Sequence, residues 1–357
     1  MIGKRFSFRA ALLVSTLLVL CSLKLFAQDS TSPKQQDSLL YSPTDANPEY
    51  ISKFKRKNVV RVFYGAGDFG LIWGSTRQDN GTTHLKFTSN GADFVGFGVG
   101  YKFIDFDISF SIPNTSVLAT ERKQLTQFQF AMSFTSRMNT IRAYVMSYRG
   151  MVAVSDNNSY SSAPNIHYGR VGAQYTHFFN GRKYSFRAAS FQYEVQKKTA
   201  GSFFLRIEPF YRSVTPGDQF VPDSLDKQVV YGQQVGLEYI RAPGLYFMPG
   251  YGVNFVRGGG HWYFAPMIFA GPGIAFNRYK GSIGNYNATK IECGGLASLN
   301  TGYSNARLYA DLYAYVDANY SPLNPSYMLA GRYRIVLSFG WRFVNIEHFL
   351  PENLFHW

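Results

Sequence analysis

From Tyr50 onward the chain repeats one pattern: segments of about ten residues in which large apolar and small or polar side chains alternate, the signature of half-buried strands. In IDFDISFSI, Ile104, Phe106, Ile108, Phe110 and Ile112 alternate with Asp105, Asp107, Ser109 and Ser111. TQFQFAMSF sets Phe128, Phe130, Met132 and Phe134 against Gln127, Gln129, Ala131 and Ser133. SFFLRIEPFYR places Phe203, Leu205, Ile207 and Tyr211 opposite Arg206, Glu208 and Arg212. YRIVLSFGWRF puts Tyr333, Ile335, Leu337, Phe339, Trp341 and Phe343 on one side, with Arg334, Ser338, Gly340 and Arg342 on the other. The same scan predicts fifteen strands between residues 59 and 343, including 182–195 and 228–241. Asn180-Gly181 reads as a type I′ hairpin turn, since both central residues of that turn need positive φ.

The character of the two faces decides the architecture. In a soluble sandwich or cup, the polar face meets water and is rich in charge. Here it carries Gly, Ser, Gln and isolated charges, while the apolar face is dense in Phe, Tyr and Trp, a wall turned inside out. A bilayer leaves unpaired backbone groups unsatisfied, so strands cross it only as a closed barrel of tilted strands about 9 to 11 residues long with aromatic girdles. The fold class expected is therefore all-β, a single-chain antiparallel transmembrane β-barrel with lipid-facing aromatics. Single-chain barrels have even strand numbers, so about fourteen strands are expected, with twelve and sixteen as the neighbouring counts. The segment Val59–Gly74 alternates poorly and is the one expected to be misread.

Composition sharpens this picture. The chain has 357 residues with Tyr 26, Phe 32 and Gly 33, yet only 16% are charged, as a lipid-facing wall requires. Lys4, Arg5 and Arg9 precede an apolar run from Ala10 to Leu20, which reads as an export signal ending at Ala27. Residues 1–27 are thus expected to be a signal peptide, 28–49 a polar periplasmic tail, and 50–357 the barrel. Losing Lys4, Arg5, Arg9 and Lys24 lowers the basic count from 36 to 32 against 22 acids, leaving +10. Cys21 would leave with the signal and Cys293 remain alone, which excludes an intrachain disulfide.

Four stretches carry a resemblance to a known family: YISKFKRKNVVRVF from Tyr50, GVGYKF around Lys102, KKTAGSFF from Lys197 to Phe204, and WRFVNIEHFL after the last strand. Over roughly Tyr50 to Trp357 the chain resembles an outer-membrane barrel family of Bacteroidetes-type Gram-negatives described as a domain of unknown function. The resemblance implies an outer-membrane barrel and no activity. Barrels commonly end on an aromatic that closes the last strand, whereas here Phe343 is followed by VNIEHFLPENLFHW, and Pro351 argues against an unbroken strand to the end.

Catalytic signatures are missing from the sequence. His84, His167, His177, His261, His348 and His356 are scattered, without H-E-x-x-H or paired Cys/His spacing, and no G-x-S-x-G elbow occurs. AGPGIAF and GFGVG lack the Lys-Ser/Thr ending of a phosphate-binding loop, so no cofactor is expected. By period, Asp105, Asp107, Arg206, Glu208, Arg212, Arg332, Arg334 and Arg342 share the polar, lumen-facing side of their strands. Mixed charge there orders water or binds an anion. The expected partners are outer-membrane lipid and lipopolysaccharide, the barrel assembly machinery and a small solute, with no nucleic acid, because basic and acidic residues interleave. The leading expectation is a non-enzymatic channel or binding barrel for a small, anionic solute or lipid. The alternatives are a lipid hydrolase with a Ser/His site at the rim and a structural or assembly role in the envelope.

Overall fold

The structure, a computed structural model, describes residues 40–41, 46–56, 58–75, 84–89, 91, 93–101, 104–112, 114–116, 126–154, 160–215, 237–281, 284–323 and 326–343. Among them, thirteen strands form one antiparallel sheet that closes on itself. The long strands are β3 (Asn58–Ser75), β8 (Asn139–Val154), β9 (Tyr160–Phe178), β11 (Ala200–Thr215), β12 (Tyr239–Arg257), β13 (Trp262–Gly281), β14 (Gly284–Ser304), β15 (Leu308–Pro322) and β16 (Ser326–Phe343). Shorter ones are β4 (His84–Thr88), β5 (Phe94–Tyr101), β6 (Ile104–Ser111) and β7 (Thr126–Thr135). Closure is made by β16 on β3, in unbroken register from Phe343↔Asn58 to Ser326↔Ser75. The circuit β3-β5-β6-β7-β8-β9-β11-β12-β13-β14-β15-β16 has twelve strands, one of the even counts flanking fourteen.

Strand alternation sorts the side chains as the wall requires. On β16, Phe339 and Trp341 are 51% and 54% exposed and point out, whereas Arg342 between wall and interior is 0% exposed. Val95, Phe97, Phe203, Phe247, Ile268 and Ile291 continue the exposed apolar surface around the ring. Inside, Phe69, Leu71 and Trp73 of β3 pack with Tyr148 and Met151 of β8 and Tyr168 of β9. Val59–Gly74 is thus no misread segment: it belongs to the closing strand, and its alternation is weak because its outward positions past Tyr64 are Ala66, Asp68, Gly70 and Ile72.

Two other expectations are corrected. Residues 182–195 do not form a wall strand but a floor across the base of the barrel. Ser185 caps a short helix, α1 (Phe186–Ser190), by accepting from Ala188 N at 3.1 Å. The chain then forms β10 (Glu194–Gln196) in a small sheet with β2 (Ile51–Phe54) and β1 (Leu40–Tyr41), so a strand lies within the expected 28–49 tail. Asn180-Gly181 makes no type I′ turn: neither residue has positive φ, and Asn180 O instead accepts from Lys183 N and Tyr184 N, turning the chain inward. Of the expected strand 228–241, residues 228–236 lie outside the described residues and Tyr239–Arg241 begin β12. The expected signal peptide and the chain after Phe343 also lie outside them.

The floor is held by directed bonds. Arg137 from the β7–β8 turn makes a two-pronged pair with Glu194 at 2.7 Å on each side. Arg342 donates to the carbonyls of Gln192, Asn305 and Leu308 and to Ser304 Oγ, with its guanidinium 3.7 Å over the Phe54 ring. Gly260, at φ +98, presses on Gln196 O and leaves no room for a Cβ. Only glycine combines that conformation with that approach. The four stretches that carry the family resemblance converge here: Ile51–Phe54 in β2, Gly100 against the Tyr193 ring, Lys197 N bonded to Tyr50 O, and Arg342.

Candidate functional site

Above the floor the lumen holds a cavity of about 270 Å³, bounded below by Phe186, Ser190 and Phe191 and at the sides by inward residues of β3, β6–β8, β11 and β13–β16. Its chemistry follows from which arginines already have partners. Arg212 is bound to Glu292 at 2.7 Å with both side chains shut off from solvent, and Tyr246 donates to the same carboxylate. Arg170 donates to Glu208 at 2.7 Å, which also accepts from Tyr144 and Gln174. Arg332 pairs with Asp317 at 3.1 Å, and Arg61 with Asp107 at 2.6 Å. A buried charge is stable only when paired and hydrogen-bonded, and these four pairs satisfy that condition.

Three inward arginines lining the cavity do not. Arg206 donates to Thr176 Oγ1 at 3.1 Å and lies 3.9 Å over the Phe269 ring. Arg334 reaches Gln129 Oε1 at 3.5 Å and sits 4.4 Å over Phe94. Arg142 projects from β8 into the same space. Among the described residues, none of the three forms an ion pair with a carboxylate. Of the two carboxylates that line the cavity, Asp107 is held by Arg61 and Asp311 accepts from Tyr263 at 3.3 Å. Hydroxyls of Tyr313, Tyr315, Ser298 and Ser338 complete the lining. Arginine forks among hydroxyl donors, partly withdrawn from water, suit an oxyanion such as a carboxylate or phosphate.

The residues singled out by period separate into roles. Arg206 and Arg334 lie on the cavity without a carboxylate; Asp107 lies on it, paired. Glu208 and Arg212 belong to buried pairs in the wall, and Arg342 belongs to the floor. Nothing is described of the Asp105 side chain. Arg142 was not singled out, although its alternation with Ile141 and Ala143 on β8 carries the same signal.

Histidines do not assemble a catalytic pair among the described residues. His177 Nδ1 lies 2.8 Å from Asn139 Oδ1, His84 Nδ1 3.0 Å from the Tyr327 hydroxyl, and His261 Nδ1 2.9 Å from a backbone carbonyl. The described residues also contain no group of acids, histidines and cysteines placed to hold a metal ion.

A family model described as "Domain of unknown function (DUF4421)" matches residues 37–343. No curated protein matches the sequence. Among solved structures, the outer membrane protease OmpT of Escherichia coli is similar at 6% identity, covering 81% of this chain and 97% of that one, with a TM-score of 0.35. A FadL homologue of Pseudomonas aeruginosa is 8% identical over 80% and 90%, with a TM-score of 0.26. The toluene transporter TodX of Pseudomonas putida is 7% identical over 81% and 91%, with a TM-score of 0.19. At such values the superpositions are loose, and the chain's own geometry decides. A closed antiparallel ring with an apolar, aromatic outer face and an interior in which charged and hydroxyl groups stand among aromatics is a β-barrel of the outer membrane.

Proposed function

The chain belongs to the DUF4421 family, whose description assigns no activity, and we propose that this outer-membrane barrel is a non-enzymatic binding barrel for a small anionic solute. One observation carries the reading: Arg142, Arg206 and Arg334 line a single lumen cavity with no carboxylate partner among the described residues. Arg206 is buried without a counter-charge, which is costly, and an anionic ligand would supply the missing charge to it and to the more open Arg142 and Arg334 beside it.

The floor favours binding over free passage. It closes the base beneath the cavity with α1 and the β2–β10 ladder, so a solute entering the lumen meets the arginines before any exit. Calorimetric titration of the purified barrel with inorganic phosphate and with a short-chain carboxylate tests this. Saturable binding that weakens about tenfold or more in Arg206→Gln is expected, the scale of one charge-assisted hydrogen bond. Equal, unsaturable heats for wild type and variant would contradict it.

A further inference from the structure

Resting on the anion-binding reading above, we propose that the lumen arginines hold a doubly charged phosphate group, free or carried on a small organic ester, in preference to any singly charged anion. Charge balance gives the number. The arginines that line the lumen cavity are Arg61, Arg142, Arg206, Arg332 and Arg334. Arg61 is answered by Asp107 and Arg332 by Asp317. Glu208, two residues from Arg206 along β11, is already taken by Arg170, Tyr144 and Gln174. Arg142, Arg206 and Arg334 are then left with one other carboxyl in the lining, Asp311, which, ionised, leaves an excess of two positive charges among the described residues. A monocarboxylate cancels half of that excess. A phosphate monoester, whose second pKa is about 6, cancels all of it at neutral pH.

Position gives the shape. Arg334 reaches from β16 across to Gln129 of β7, and Arg332 beside it reaches Met146 of β8, so both carry their charge into the middle of the lumen. Arg142, opposite Gln174 on the β8–β9 ladder, interacts electrostatically with Arg206 and with Arg334. Tyr313 of β15 interacts electrostatically with Arg142, Arg206, Arg332 and Arg334 together, and its hydroxyl has no hydrogen-bond partner among the described residues. Guanidiniums gathered around a single phenol mark one point. Two charges borne on one tetrahedral centre suit that point better than two carboxylates at opposite ends of a molecule.

The donors are presented for such a group. Arg206 spends Nε on Thr176 Oγ1 and lays its flat face on Phe269, and Arg334 lays its face on Phe94. Rings over the faces leave the N–H edges as the surface offered to a ligand, and those edges match the terminal oxygens of a phosphate. Arg142 donates no hydrogen bond among the described residues and keeps its whole fork available. The cavity of about 270 Å³ has the space of roughly nine waters, enough for a phosphate and a small group attached to it above the floor rings of Phe186 and Phe191.

Calorimetric titration of the detergent-folded barrel with phenyl phosphate and phenyl sulfate tests this, because the two ligands share a shape and differ by one charge. At pH 8 phenyl phosphate should bind about tenfold or more tighter, the scale of one charge-assisted hydrogen bond. The ratio should fall towards one at pH 5, where the phosphate has taken up its second proton. Phenyl sulfate, measured at each pH, divides out any titration of Asp107, Asp311 and Asp317. Terephthalate, with its carboxylates at opposite ends of a ring, should bind no better than phenyl sulfate. Tyr313→Phe should weaken phenyl phosphate about fivefold and leave the urea unfolding midpoint in place. A ratio near one at pH 8, terephthalate tighter than phenyl phosphate, or an unchanged affinity in Tyr313→Phe would overturn the assignment of a dianion while the anion site itself stood. Saturable binding of none of the ligands would instead overturn the anion site. Inorganic phosphate then separates the two sources: tighter phenyl phosphate assigns an ester standing on Phe186 and Phe191, and tighter inorganic phosphate assigns the free ion.

Discussion

The two sides of the barrel solve the same problem differently. From β9 through β16 the wall is a ladder of long strands, with β13 and β14 in continuous register from Trp262↔Tyr303 to Gly281↔Gly284, and its inward arginines Arg170 and Arg212 are matched to Glu208 and Glu292. From β4 through β7 the strands are short, and β4 sits between β3 and β8. Arg142, Arg206 and Arg334, from β8, β11 and β16, line the lumen cavity without carboxylate partners among the described residues. The difference teaches where stability and function are placed: Arg170 and Arg212 are neutralised inside the wall, whereas Arg142, Arg206 and Arg334 leave charge open to a ligand.

The largest expected effect breaks the closed wall. Glu292→Gln leaves Arg212 buried without its counter-charge, and such a lesion costs about 3–5 kcal/mol. Urea unfolding of the detergent-folded barrel should show a fall of that size, while Arg212→Met with Glu292→Met together should be nearly neutral. Equal effects of the single and double changes would erase the contrast between the walls. Next comes the floor. Arg342→Gln removes donors to three carbonyls and Ser304, so planar-bilayer recordings should show low conductance for wild type and a several-fold rise for the variant. A high wild-type conductance would mean that the floor does not close the base.

Arg142→Gln, Arg206→Gln and Arg334→Gln sharpen the comparison from the other side. Each removes a charge with no carboxylate partner, so unfolding stability should not fall by the about 3–5 kcal/mol of a broken buried pair, while anion affinity falls about tenfold per change. The smallest effect lies at the rim of the floor. Lys198 donates to Glu49 at 2.9 Å, and that hydrogen bond, with the ammonium's charge, holds the Glu49 carboxyl below its ordinary value. Its stabilising contribution is therefore complete above the ordinary carboxylate range and fades as pH falls through the lowered value. Both groups are exposed, so Glu49→Gln should leave protease cleavage of the floor unchanged at neutral pH.

Much of the wall was legible in the sequence because period-2 alternation is a property of each strand alone. The outward Phe339 and Trp341 and the inward Arg206, Glu208 and Arg212 follow from it directly. The floor was not legible as such. Residues 182–195 contain enough apolar positions to imitate a strand, and only the Ser185 cap and the bonds of Glu194 to Arg137 show that they turn inward. Partnership was hidden as well. Period places Arg206, Arg212 and Arg342 on one kind of face, but whether each meets Thr176, Glu292 or Gln192 O depends on contacts 30 to 150 residues apart in the chain.

The most direct test is a crystal structure of the barrel grown in bromide and read by anomalous scattering. Bromide bound in the lumen against Arg142, Arg206 and Arg334, with none beside Arg170 or Arg212, is the expected result. Peaks confined to the outer rims, with the lumen arginines bare, would contradict an anion site inside the barrel.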